Sequence, residues 1–197
     1  MGDIKSALEI AMEKVAKLGE TTEEERLKWK YVPAGEQLAA KCLREDCNLI
    51  AELKQYPENV KKYVIEGAVS ILVRNIAIPK TDAAKINNKK AMDGLKTLKT
   101  DKVGVENIYS KMRYLFNHYS QEGEQQRKQA YQSLRASFEA QIQQAMKQQM
   151  GNNTTGMRIN VEQQPQFQQE WHRVSTQLES QYLTLLSEYK QALLNIP

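Results

Sequence analysis

The two histidines are the residues of this sequence best suited to catalysis or metal binding. His118 and His172 are the only histidines among 197 residues, and neither has a cysteine or a second histidine close to it in sequence. Neither is preceded at the third position by the glutamate that helical di-iron sites require. No CxxC, HExxH or glycine-rich phosphate loop occurs. We therefore expect a protein that is not an enzyme and that has no catalytic residue, no metal site and no cofactor.

Cys42 and Cys47 are the only cysteines, and they lie in a segment with helical periodicity. On a continuous helix, residues five apart point about 140° away from each other around the axis. This spacing predicts two reduced thiols rather than a disulfide, as is usual in the cytosol. The sequence also shows no signal peptide and no apolar stretch that could span a bilayer. We expect a cytoplasmic protein with no membrane contact.

A lysine-rich segment, residues 80–113, could bind an anionic partner. Between Lys80 and Lys102 there are seven lysines and three aspartates, a net charge of +4. Such a segment can hold the phosphates of a nucleic acid. It has little arginine for base recognition and no interleaved aromatic residues, so a solvated helix face is the simpler interpretation. The candidate anion-binding residues are Lys85, Lys89, Lys90, Lys96 and Lys99.

Helical periodicity extends along the whole chain and predicts an all-α fold. Glycine and proline number only nine and five, which favours long helices. Residues 1–103 are expected to form an N-terminal helical bundle. The β-branched residues in the range 68–78 also permit a strand there. Within the bundle we expect helices from about Asp3 to Leu18, from a capping box at Thr22 and Glu25 to Pro33, from Ala34 to Gln55, from Pro57 to Ala77 and from Asp82 to Leu98.

The second part of the chain, residues 104–197, carries two long apolar stripes with heptad-like spacing. One extends from Val105 to Met150 and the other follows Pro165, with a loop, 151–165, between them. This pattern predicts a long antiparallel helical hairpin with coiled-coil packing. Counting from the loop places Met150 opposite Gln166 and Asn195 opposite Gln121. On that register, residues 105–119 would pack on the bundle.

The hairpin is also the expected partner-binding region. Of the 20 glutamines, 18 lie between Gln121 and Gln191, and residues 121–197 carry seven basic and seven acidic side chains. Two helices alone are not expected to cover all of their aromatic residues, and an uncovered apolar face attracts a further helix. The candidate partner-binding residues are Tyr131, Phe138, Phe167, Trp171, Tyr182 and Tyr189.

These observations favour a non-enzymatic assembly or adaptor protein that forms a homo-oligomer or binds a protein partner through the hairpin. The alternative is a nucleic-acid-binding protein that uses the basic segment 80–113. A third possibility is an enzyme whose site forms between the bundle and the hairpin. The segment IKSALEIAMEK, from Ile4 to Lys14, resembles the start of an uncharacterised prokaryotic family of helical proteins. The resemblance implies a helical layout, and it assigns no functional residue.

Overall fold

The computed structural model describes residues 22–45, 47–150 and 160–197. No strand occurs in these ranges, so the all-α prediction is confirmed and the alternative of a strand at 68–78 is wrong. The helix expected from Asp3 to Leu18 lies outside the described residues. The helices are α1 (Glu23–Glu45), α2 (Leu49–Leu53), α3 (Glu58–Asn75), α4 (Asp82–Leu98), α5 (Lys102–Ser120), α6 (Glu122–Met150) and α7 (Pro165–Asn195), with a 3-10 helix (Val161–Gln163) before α7.

The described residues form two compact units that interleave in sequence. The first unit comprises the described residues up to Arg74 together with Asp93–Leu98. The second comprises Asn75–Met92 and Lys99–Pro197. Helix α4 contributes to both units, so no single point in the sequence separates them. The division into domains 1–103 and 104–197 stays a prediction.

The first unit contains a close crossing of α1 and α3 at two buried glycines. A Cβ atom at Gly35 would collide with the backbone of Val64, and a Cβ atom at Gly67 would collide with the backbone carbonyl of Val32. Glycine has no Cβ and therefore allows the two backbones to meet directly. The apolar residues of α1 and α3 are buried in the same unit, Leu38, Ala39, Val60, Val64 and Ala68 among them.

Helix α1 differs from the prediction at Pro33. Its start agrees with the predicted capping box, because the Glu25 N–H donates to Thr22 Oγ1 and the Thr22 N–H donates to Glu25 Oε2, at 3.2 and 2.9 Å. The prediction that Pro33 ends this helix is wrong, since the helix continues through it to Glu45. An interior proline removes one helical hydrogen bond and crowds the preceding turn. Gly35, two residues later, lies at the close crossing with α3.

The prediction of two separate thiols is also wrong. Cys42 and Cys47 form a disulfide, with their Cα atoms 4.6 Å apart. The prediction assumed one continuous helix, whereas α1 ends at Glu45 and α2 begins only at Leu49. Asn48 caps α2, because its side-chain oxygen accepts hydrogen bonds from the backbone N–H groups of the second and third helical residues. The interruption between the two helices allows the cysteines to meet.

In the second unit, α7 packs against both α5 and α6. Tyr119 contacts Tyr182, while Phe138, further along the chain, contacts Phe167. Residue numbers therefore rise along α5 and α6 as they fall along α7, which makes the packing antiparallel. The expected continuous helix from Val105 to Met150 is interrupted at Gln121, the residue between α5 and α6.

The predicted register of α7 is wrong. The backbone carbonyl of Pro197 accepts a hydrogen bond from the Thr100 N–H at 2.9 Å, so the end of α7 lies beside the start of α5 rather than opposite Gln121. The prediction counted from the loop, and it assumed that α6 pairs along its whole length. Ala145, near the end of α6, is exposed. Aromatic contacts set the register instead.

Candidate functional site

A groove of about 560 Å³ lies in the second unit between α5 and α7, with one residue from α6 at its border. No acidic residue, lysine or arginine is found among the residues that the structure places along it. Its apolar lining consists of Leu115, Val174, Leu178 and Leu185, and its polar and aromatic lining consists of Tyr114, His118, Gln126, Gln177, Gln181, Tyr182 and Tyr189. A surface of this composition suits contact with another protein better than binding of an ion.

A histidine and a tyrosine join the two walls of the groove. His118 Nδ1 on α5 lies 2.9 Å from the hydroxyl oxygen of Tyr182 on α7, and the two rings are 5.8 Å apart. Tyr182 is buried. It fits because Gly123 has no side chain, since a Cβ atom there would lie 2.9 Å from the Tyr182 hydroxyl and 3.1 Å from Arg127 Nη1.

Tyr119 connects this pair to three charged residues. Its ring meets Tyr182 edge to face at 5.1 Å, and its hydroxyl donates to Glu179 Oε1 at 3.2 Å. Glu179 Oε2 also pairs with Lys80 Nζ at 2.5 Å, while the guanidinium of Arg127 lies 4.1 Å from the centre of the Tyr119 ring. Burial raises the pKa of the Tyr119 phenol; Arg127 opposes this effect and Glu179 reinforces it.

Four of the six predicted partner-binding residues contact one another rather than solvent alone. The Tyr131 ring lies edge to face with Phe167 at 5.5 Å and with Trp171 at 5.0 Å. Phe138 meets Phe167 at 5.5 Å in the same manner. This aromatic cluster holds α6 to α7. The other two predicted residues, Tyr182 and Tyr189, line the groove.

Several lysines of the basic segment are engaged within the protein. Lys99 is buried, and its ammonium donates to the backbone carbonyls of Leu194, at 3.2 Å, and of Ile196. Burial lowers the pKa of Lys99. Lys85 pairs with Asp82 at 2.8 Å. The remaining predicted anion-binding residues lie on α4, where Lys89 and Lys96 are exposed and Lys90 is half-buried.

The sequence interpretation missed the groove itself. Tyr114 and Leu115 were expected to pack on the bundle, because the register counted from the loop assigned α5 to the bundle. Gln126 and Gln181 follow no recognisable motif. A usable signal was present in the four-residue spacing of Tyr114 and His118, which places both on one face of a helix.

The described part of the chain holds no cluster of metal-ligating side chains and no membrane-spanning helix. Within the described ranges, no group of three or more His, Cys, Asp or Glu side chains could hold a metal ion. None of the helices in the described part of the chain combines the length and apolar character needed to cross a membrane.

The comparisons with known proteins return one finding. The chain has no match among the curated proteins or among the solved structures. The model of a family of unknown function, DUF6657, matches residues 50–195, which is most of the chain and includes every residue of the groove. This range does not contain Ile4 to Lys14, yet the expectation of an uncharacterised family is confirmed. The chain therefore belongs to this family of unknown function, DUF6657.

Proposed function

We propose that this protein is a non-enzymatic assembly protein that self-associates by docking a second copy onto the groove between α5 and α7. The observation that carries the proposal is a concave surface without a formally charged side chain, bordered by large exposed residues. Tyr114 is 73% exposed and Leu185 is 40% exposed. The hairpin thus keeps its predicted role in association, and the groove, rather than the aromatic cluster, is the proposed interface.

The chemistry of the groove resembles the centre of a protein interface. Such centres are depleted of charged residues and enriched in aromatic ones. Burying an ion would cost several kcal/mol, and docking on this groove buries none of its own. Tyrosine supplies a large contact area together with a polar tip that can find a hydrogen-bond partner. Tyr114, Tyr182 and Tyr189 provide this combination along the groove.

A second copy is the occupant that best fits the exposed residues. Tyr114 projects beside a recess, so a two-fold arrangement would insert the Tyr114 ring of each copy into the groove of the other. The side chains that the structure places along the groove include no acidic residue, lysine or arginine, so the linings of two facing grooves do not repel each other.

Sedimentation velocity of the purified chain with two matched leucine variants tests the proposal. Leu185 borders the groove, whereas Leu183 is 50% exposed on the same helix and lies outside it. We expect wild type to dimerise at tens of micromolar, Leu185→Gln to weaken dimerisation about tenfold or more, and Leu183→Gln to behave as wild type. A monomer at every concentration, or equal loss in both variants, contradicts the proposal.

The predicted location in the cytoplasm remains a prediction. The disulfide between Cys42 and Cys47 removes the support that reduced thiols gave to it, because disulfides persist mainly in oxidising compartments.

Nucleic-acid binding through residues 80–113 remains the second candidate, supported by the exposure of Lys89 and Lys96. Internal pairing of Lys80 and Lys85 reduces the charge available for phosphate contacts. A gel shift in low salt tests it. Binding that falls steeply as salt is added supports this candidate, and no shift in low salt eliminates it.

A further inference from the structure

We infer that Gln181 sets the register of self-association, by pairing with Gln181 of the second copy at the centre of the docked groove. The inference rests on the proposed function, because it names the contact on which the two copies align. Its structural basis is a polar side chain set among apolar ones on the α7 wall of the groove. A glutamine on an ordinary helix surface is only solvated, so the position of Gln181 is what matters.

Gln181 interrupts an apolar stripe of α7. The stripe consists of Val174, Leu178, Gln181 and Leu185, and all four residues line the groove. They follow one another at steps of four, three and four residues, which is the spacing of a coiled-coil seam. Gln181 also stands near the middle of the α7 wall, which extends from Val174 to Tyr189. A second copy that covers the stripe therefore covers Gln181.

The other two glutamines of the lining are less central. Gln177 lies about 60° around the helix axis from Val174, on the side away from Leu178, so it stands at the edge of the stripe. Gln126 belongs to α6 and borders the groove. Both amides can remain in water at the rim of a docked surface, whereas the amide of Gln181 is covered.

The amide of Gln181 suits a copy of itself. It carries two donor hydrogens and one acceptor oxygen, so two such amides that face each other across a two-fold axis can exchange hydrogen bonds in both directions. In the single chain the residue is exposed. Its side chain makes no hydrogen bond to the residues that the structure describes, and its amide is therefore available to a partner.

A shifted register would be costly at this position. Displacement of one copy by a helical turn would place the Gln181 amide against Leu178 or Leu185, and a leucine side chain offers it no hydrogen bond. Burial of an unpaired amide is unfavourable. A polar residue at one position of an apolar seam specifies register and oligomeric state in this way, at a cost in affinity. The two leucines thus contribute affinity, and Gln181 contributes alignment.

Sedimentation equilibrium of charged variants, alone and mixed, tests the contact. In Gln181→Glu or Gln181→Lys alone, like charges would face each other, and we expect the dissociation constant of each to rise about tenfold or more above the wild-type value. An equimolar mixture of the two variants should form a heterodimer with a dissociation constant within about tenfold of wild type, because the facing charges are then opposite. Recovery in the mixture also shows that both variants are folded.

Gln177→Glu and Gln177→Lys are the matched controls, because Gln177 lines the same groove at the edge of the stripe. Their mixture should gain much less over the single variants. A gain as large as that at position 181 overturns the inference, since it would arise from overall charge. Wild type that associates while the charged Gln181 variants behave like it, or fail to recover when mixed, also overturns it and leaves self-association intact. Absence of wild-type association refutes the proposed function, and the inference with it.

Gln181→Leu provides a readout of alignment itself. This variant has a continuous apolar stripe, so it should associate more tightly than wild type. Its copies should no longer align at one register, and sedimentation velocity should detect species larger than a dimer. A Gln181→Leu protein that forms dimers alone at every concentration would overturn the role of Gln181 in setting the register.

Discussion

The hydroxyl oxygen of Tyr119, at the end of α5, lies 3.2 Å from Glu179 Oε1, in the middle of α7. The same carboxylate pairs through its other oxygen with Lys80. This short network fixes α7 against α5 at the level where the chain is interrupted before α6. Tyr119 also contacts Tyr182, which lines the groove, so the network supports one wall of it.

Removal of the Tyr119 hydroxyl should change how stability depends on pH. Folding raises the pKa of this phenol. The protonated hydroxyl therefore contributes its full stabilisation below the ordinary tyrosine pKa of about 10, and this contribution is lost as the pH rises above that value. Tyr119→Phe should cost about 1 kcal/mol near neutral pH and should flatten the alkaline decline. Urea unfolding between pH 8 and 11 measures both effects. The exposed Tyr114→Phe is the control, and an equal flattening there would refute the assignment.

The glycine crossing in the first unit should not tolerate a methyl group. Gly35→Ala and Gly67→Ala each place a Cβ atom against backbone, which cannot move as a side chain can. Each should destabilise the first unit by about 2 kcal/mol or more.

Gly94→Ala provides the comparison for these two variants, because the nearest atoms to its Cβ atom would belong to side chains, Leu72 at 3.2 Å and Leu49 at 3.8 Å, rather than to backbone. The gain in helix propensity of about 1 kcal/mol should nearly offset that contact. Thermal unfolding of the three variants ranks them. Similar melting temperatures for Gly35→Ala and Gly94→Ala would contradict the close crossing of α1 and α3.

Lys99 should stabilise the end of α7. Its buried ammonium donates to the carbonyls of Leu194, in the last turn, and of Ile196, just after it, where a helix end leaves such groups without partners. Lys99→Met should cost about 1–3 kcal/mol, because it leaves those carbonyls unsatisfied. Hydrogen exchange at the amides of the last turn of α7 should accelerate in this variant. Lys89→Met, at an exposed position of α4, should leave the exchange unchanged; acceleration in both variants would argue against the contact.

Reduction of the disulfide should have a modest effect on stability. Cys42 and Cys47 are five residues apart, and so short a loop limits the entropy removed from the unfolded chain. The loss on reduction should be about 2 kcal/mol. Alkylation with iodoacetamide before and after reduction, followed by mass spectrometry, establishes whether the bond is present. Two alkylated thiols in protein that was never reduced would show that it is not.

Local rules predicted much of the fold. The helical class follows from periodicity and from the scarcity of glycine and proline. The capping box of Thr22 and Glu25 needs only its three-residue spacing. The predicted loop 151–165 ended one residue too late, because Pro165 is the first residue of α7. Each of these features depends on a few neighbouring residues.

Contacts between distant residues account for the errors. Pro33 remains inside a helix next to Gly35, where α1 meets α3, and no local pattern reveals that meeting. The register of α7 depends on the packing of Tyr131 and Phe138 with residues of α7, which outweighs counting from the loop. The position of the groove depends on that register, so the wrong register concealed the groove.

The docking of a second copy can be tested most directly at Tyr114. The residue is replaced by the photo-crosslinking amino acid benzoylphenylalanine, and unlabelled and ¹⁵N-labelled chains are mixed so that crosslinks between copies can be identified by mass. Self-association through the groove predicts crosslinks between copies that map to residues 174–189 of α7. Crosslinks confined to a single chain, or to surfaces away from α5 and α7, would contradict it.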